Sequence, residues 1–276
     1  MNAFLQVLTV VLPPAYLVAT ILHGMAFREP ENRITERLRR LATALAIGLH
    51  VAWFLVLAER WQAFPIADTA SSASAVVLTT LLLQTGLARW MKNPGSGGVV
   101  LALLFVGQLF ASSTTDLRAL PRESPATVFG MVHVMTSVLA VSALVVSGVH
   151  GLLYLTLLRQ MRLRHFGALF AGLPDLYVLA KLTRAAALAG FLGLTIGINL
   201  GIWLAHRDHQ SGFAYRDAEV VLSIGIWLHF GAIAFSRWIR GFNARRASIA
   251  ATAGLVVVLL SLALLLVPGT TFHSHL

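Results

Sequence analysis

The chain has 276 residues, 57% of them hydrophobic and only 12% charged, with a mean hydropathy of +0.78, and this excludes a soluble globular domain of that size. Its formal charge of +10 arises from 21 Lys and Arg against 11 Asp and Glu. In a chain this apolar, that excess reads as a topology signal and as contact with lipid headgroups, not as a nucleic-acid surface.

Apolar runs long enough to cross the hydrocarbon of a bilayer recur along the whole length. They predict an all-α polytopic membrane protein, a single integral membrane domain over 1–276. Eight spans are expected, at roughly 3–26, 41–59, 71–90, 98–113, 126–158, 178–205, 219–237 and 248–268. The fourth is short and stops at the polar run Ser112-Ser113-Thr114-Thr115-Asp116. Pro13-Pro14 in the first is compatible with a span, because neighbouring helices can satisfy the freed backbone groups. The first run lacks a basic leader and is followed by a basic loop, so it reads as a retained span and not as a cleavable signal.

Basic residues in short loops are held on the cytoplasmic side. The loops 27–40, 89–97, 159–184 and 237–246 contain 16 of the 21 Lys and Arg; the alternate loops contain Arg60, Arg118, Arg122, Arg207 and Arg216. Both termini are therefore expected on the outer side.

That topology sorts the histidines by depth. His133, His206, His209, His273 and His275 fall at or near the outer face, His23 and His165 near the inner one, and His50, His150 and His229 within spans. An imidazole in hydrocarbon must find a partner to offset its desolvation. His50 and His229 lie about ten residues, or roughly 15 Å, into their spans. Each is read either as an interhelical hydrogen-bonding group or as a ligand or relay for something that crosses the membrane. His133 follows Ser124-Pro125, which reads as N-cap and first helical position. A helix from there to Leu158 would extend about 50 Å, more than the bilayer core requires, and the excess puts His133 near the outer interface. His273 follows the last span in Phe272-His273-Ser274. Two histidines at one membrane surface are what is needed to hold a haem iron from both sides. With no cysteine in the chain, such a haem is not covalently attached to it as in c-type cytochromes, and the chain itself does no thiol–disulfide chemistry.

Val132-His133-Val134, Leu173-Pro174-Asp175-Leu176, Arg216-Asp217-Ala218-Glu219 and Phe272-His273-Ser274, with the stretches that follow or precede them between residues 130 and 276, resemble segments of one family, the CcsA-type cytochrome c assembly proteins, whose superfamily includes ResC, the HemX-type proteins and the more distant CcmC and CcmF. Val132-His133-Val134 is similar to the segment that holds the family's first outer histidine. Leu173-Pro174-Asp175-Leu176, followed by Ala189-Gly190-Phe191-Leu192-Gly193-Leu194-Thr195-Ile196-Gly197 and Trp203-Leu204-Ala205, resembles its cytoplasmic lead-in and next span. Arg216-Asp217-Ala218-Glu219, continuing to Trp227, lines up with the end of its tryptophan-rich outer loop. The basic stretch from Trp238 to Ala247, the last span and Phe272-His273-Ser274 resemble its final inner loop and second outer histidine. Gly193, Gly197 and Gly201 also recur every four residues, which puts them on one helix face that a neighbour can approach closely.

The resemblance implies haem handling (binding, export or presentation at the outer face) in cytochrome c biogenesis, in the cytoplasmic membrane of a bacterium. It implies His133 and His273 as axial ligands of a non-covalent haem b. Arg216 or Arg207 would lie near the propionates, Trp203, Phe213 and Tyr215 against the macrocycle, and Asp217 in the presenting loop. A CcsB- or ResB-like membrane protein and apocytochrome c would be the partners, and no residue is assigned a catalytic role. The chain departs from the family in two places. Residues 206–218 keep only Asp217, Phe213 and Tyr215 of the tryptophan-rich motif, and Phe235 stands where transporting members carry a histidine in the seventh span.

The competing reading is a HemX-like regulatory or scaffolding membrane protein linked to haem biosynthesis, without a bound cofactor. Its histidines would be interhelical ties, and its loops 27–40 and 159–177 the partner surface. A proton- or ion-coupled transporter is disfavoured because Glu59, Asp217 and Glu219 all sit at span ends.

Overall fold

The computed structural model describes residues 2–29, 31–93, 95–116, 127–164, 167, 170, 172–207 and 218–264. Among them the regular elements are helices: α1 (Asn2–Arg28), α2 (Arg33–Trp61), α3 (Thr69–Met91), α4 (Gly97–Thr114), α5 (Val128–Arg162), α6 (Leu176–Arg207), α7 (Ala218–Ala234) and α8 (Ala244–Leu264). Seven are long and apolar enough to cross a membrane, and Val220–Ala234 within α7 is apolar but shorter. The protein is an all-helical polytopic membrane protein, as its periodicity and composition require.

Local chemistry moves several boundaries from where hydropathy puts them. The charged stretch expected as a loop over 27–40 is mostly the beginning of α2. Asn32 Oδ1 accepts the backbone N–H groups of Ile34 and Thr35 at 3.1 and 3.2 Å, and so caps the helix. Glu36 then pairs with Arg39 at 2.6 Å and with Arg40 at 2.7 Å, one turn further on. The cap expected at Ser124-Pro125 lies outside the described residues. Among the described residues, Thr127 Oγ1 accepts Gly130 N–H at 3.1 Å at the start of α5. Asp175 caps α6 through Val178 N–H at 2.8 Å, and Asn243 caps α8 through Arg246 N–H at 3.0 Å. At the end of α7 the chain leaves the helix after Ala234, with Ser236 N–H bonding back three residues to Ile233.

The chain divides into two compact units, Met1–Ala126 with Gln160–Pro174, and Thr127–Arg159 with Asp175–Leu276. In the first, α1 lies along α2 and α4, and α3 along α4. Leu5, Leu8 and Leu12 pack on Trp53 and Leu57 of α2, and the Trp53 indole N–H donates to Thr9 Oγ1 at 2.9 Å. Pro13 and Pro14 lie inside α1 and withdraw two N–H donors from its ladder.

In the second unit, contact between helices is made largely through glycine. Gly190, Gly193, Gly197 and Gly201 of α6 face Leu144, Ala140, Ser137 and His133 of α5, so close that a Cβ at any of the four positions would collide. Gly148 and Gly151 of α5 meet Leu255, Ala251 and Ser248 of α8 in the same way. Such approach lets van der Waals contact hold helices together where lipid removes the hydrophobic drive. The α6–α7 contact is aromatic: Phe191 stacks on Trp227 at 5.0 Å, and the Trp227 N–H donates to Thr195 Oγ1 at 2.8 Å.

Gly148 and Gly225 separate crowding from helix propensity. The Gly148→Ala methyl would collide with Leu255, whereas nothing lies within 4 Å of a Cβ at Gly225. Gly148→Ala is expected to cost about 1–3 kcal/mol, and Gly225→Ala to gain about 0.5–1 kcal/mol. Melting of the two variants in detergent should therefore move in opposite directions.

Candidate functional site

His133 sits five residues into α5, half-buried, with its ring in the seam against α6. Its Nδ1 lies 2.8 Å from the carbonyl oxygen of Gly197. A carbonyl can only accept, so Nδ1 carries the proton, and in the neutral ring Nε2 holds the lone pair. Metal-bound histidines use this arrangement: one nitrogen donates to a fixed acceptor that sets tautomer and ring orientation, and the other is left as the donor to the metal.

One turn earlier on the same face of α5 is Phe129. Its ring centroid is 5.0 Å from that of Trp203 on α6, and the Arg207 guanidinium lies 5.2 Å above the Trp203 ring, at cation–π distance. Trp203, Arg207 and His133, three of the residues singled out in the sequence, are thus gathered at the end of the second unit where α5 begins and α6 finishes. His273, Asp217, Arg216, Phe213 and Tyr215 lie outside the described residues. Phe129 and the carbonyl of Gly197 were not anticipated. Phe129 carried a usable signal, being four residues before His133, but a backbone carbonyl carries none.

His50 and His229 have well-defined surroundings within separate units. Both ring nitrogens of His50 are engaged: Tyr16 Oη is 2.9 Å from Nδ1 and Ser74 Oγ is 2.8 Å from Nε2. The Ser74 hydroxyl donates to Gln108 Oε1 at 3.1 Å, and Gln108 Nε2 donates to Ser112 Oγ at 3.2 Å. Because Ser74 spends its proton on Gln108, it accepts from His50 Nε2–H, and His50 Nδ1 then accepts from the Tyr16 hydroxyl. One chain of hydrogen bonds, with one polarity, joins α1, α2, α3 and α4. Phe54 stacks on the His50 ring at 5.4 Å. His229 donates from Nε2 to the Ala250 carbonyl at 2.9 Å and so ties α7 to α8. His150, fully buried in α5, donates from Nδ1 to Val146 O at 2.8 Å, while its Nε2 lone pair is buried without a partner.

A family model for cytochrome C assembly proteins matches residues 37–271. The chain belongs to that family. No curated protein and no solved structure matches it. Membership assigns the protein to cytochrome c biogenesis, in which haem and apocytochrome c are handled at a membrane. The described part of the site suits that chemistry. The His133 ring is oriented by a backbone acceptor, and aromatic rings and a guanidinium stand one to two turns away.

The His50 chain can be tested apart from the haem chemistry. Ser74→Ala strands His50 Nε2–H and Gln108 Oε1 in a buried site, which should lower stability by about 1–3 kcal/mol. Combined with His50→Ala, the loss in melting temperature should be clearly smaller than the sum of the two single losses, because both variants break the same chain.

Proposed function

We propose that this member of the cytochrome c assembly family holds haem b at the outer face of a bacterial cytoplasmic membrane and presents it for cytochrome c maturation. His133 and His273 would supply its imidazole ligands, Arg216 or Arg207 would lie near the propionates, Trp203, Phe213 and Tyr215 against the macrocycle, and Asp217 in the presenting loop. With both termini outward, His273 would lie at the same surface as His133. The observation that carries the reading is the 2.8 Å bond from His133 Nδ1–H to Gly197 O, which orients the imidazole at the α5–α6 seam that also carries Trp203 and Arg207.

A haem held by these residues would supply one-electron chemistry. The protein contributes binding, orientation and exclusion of water. The thioether bonds form on the cysteines of the apocytochrome, since this chain has none, and a CcsB- or ResB-like protein docks that substrate. His50 and His229 act as interhelical ties, a role supported by the hydroxyl, carbonyl and aromatic partners around them.

Protein purified in detergent from haem-replete cells should give the reduced-minus-oxidised spectrum of a low-spin b-type haem. His133→Ala and His273→Ala should each abolish it without loss of folded protein. Folded wild type that contains no haem and takes up none when haem is added would overturn the proposal in favour of a HemX-like scaffold without cofactor.

A further inference from the structure

We propose that Gly197 and Gly201 form a backbone seat that positions His133 as a ligand, so that the strength and geometry of haem binding are set by α6, which itself contributes no ligand. The inference rests on the axial role proposed above for His133.

Two contacts define the seat. The Gly197 carbonyl takes the Nδ1 proton at 2.8 Å and so fixes both the tautomer and one edge of the ring. One turn later, the position that a Cβ would occupy on Gly201 is 2.8 Å from His133 Cε1, 3.3 Å from Nδ1 and 3.6 Å from Nε2. The ring edge carrying both nitrogens therefore rests on bare backbone. A methyl there would come closer than carbon atoms tolerate, so the ring would have to tilt or slide. Either motion lengthens the bond to Gly197 and reorients the ring.

The same seam provides its own control. At Gly193, two turns deeper, an added Cβ would come 2.9 Å from Ala140 Cβ and 3.5 Å from Thr136 O, with no histidine among its three nearest atoms. Gly193→Ala and Gly201→Ala thus crowd the same helix pair to the same degree, and only the second touches the ligand. If glycine serves packing alone, the two variants should behave alike. If Gly201 is a positioning residue, only Gly201→Ala should alter the haem.

In haem-loaded protein, Gly201→Ala is expected to shift the low-spin electron paramagnetic resonance signal and to speed haem loss to an excess of scavenging globin by about tenfold or more, the usual scale for disturbing the partner of a metal ligand. Gly193→Ala should leave both unchanged. A second pair of variants avoids overcrowding by removing the ring. In His133→Gly, added imidazole should occupy the seat and restore the low-spin spectrum, whereas His133→Gly with Gly201→Ala should need about tenfold more imidazole. Equal behaviour of Gly193→Ala and Gly201→Ala, or equal imidazole requirements, would overturn the seat while leaving the ligand role intact. Haem-free wild type, or a spectrum indifferent to His133→Ala, would overturn the ligand role and the seat with it.

Discussion

A hydrogen-bonding group in hydrocarbon has no water to fall back on, and leaving one unpaired costs several kcal/mol by transfer estimates. That constraint governs the protein at two scales. It makes helices the spanning elements, because only they satisfy their backbone internally. It also dictates the surroundings of the histidines within those helices. His50 is bound at both nitrogens by hydroxyls from α1 and α3, His229 reaches a carbonyl of α8, and His150 turns back to its own helix. His50 and His229 thereby join helices that lipid alone would not hold together.

The second unit answers the same need for cohesion with two kinds of contact. Between α5 and α6, glycine brings backbones close enough for a side chain on one helix to use a carbonyl of the other. Between α6 and α7, bulk replaces proximity: Phe191 touches Trp227 and Phe235, and Phe235 in turn stacks on Trp238. The glycine seam is the one suited to presenting a ligand, because a ring laid on bare backbone has few orientations, whereas stacked aromatic rings can adjust to one another.

The helical architecture was legible in the sequence because it depends on long apolar runs, which are additive and insensitive to detail. Boundaries were less so. The start of α2 at Arg33 depends on the Asn32 cap and on the Glu36 pairs with Arg39 and Arg40, whereas a hydropathy window sees only a charged loop. Depth, too, could be read for His50, but not its partners, since Tyr16, Ser74 and Gln108 are scattered over three other helices and none forms a motif with it. At the candidate site, His133 as a candidate and the glycine face of α6 could each be read separately. What joins them, a main-chain oxygen, has the same chemistry at every residue and leaves no trace in sequence.

The polarity of the chain through His50 has an electrical consequence. Each member donates forward, from the Tyr16 hydroxyl through His50 and Ser74 to Gln108 and Ser112. Gln108 accepts at its amide oxygen and donates from its amide nitrogen, and a proton does not pass between the two without forming a high-energy imidic acid, so the carboxamide interrupts the chain as a proton path. The chain also begins at a phenol whose residue is fully buried, with no exposure through which a proton could enter. Five linked polar side chains within membrane-spanning helices would ordinarily invite leakage; arranged as a blind circuit they insulate, and a protein stationed across a membrane can keep histidine in its interior without discharging the gradient on either side.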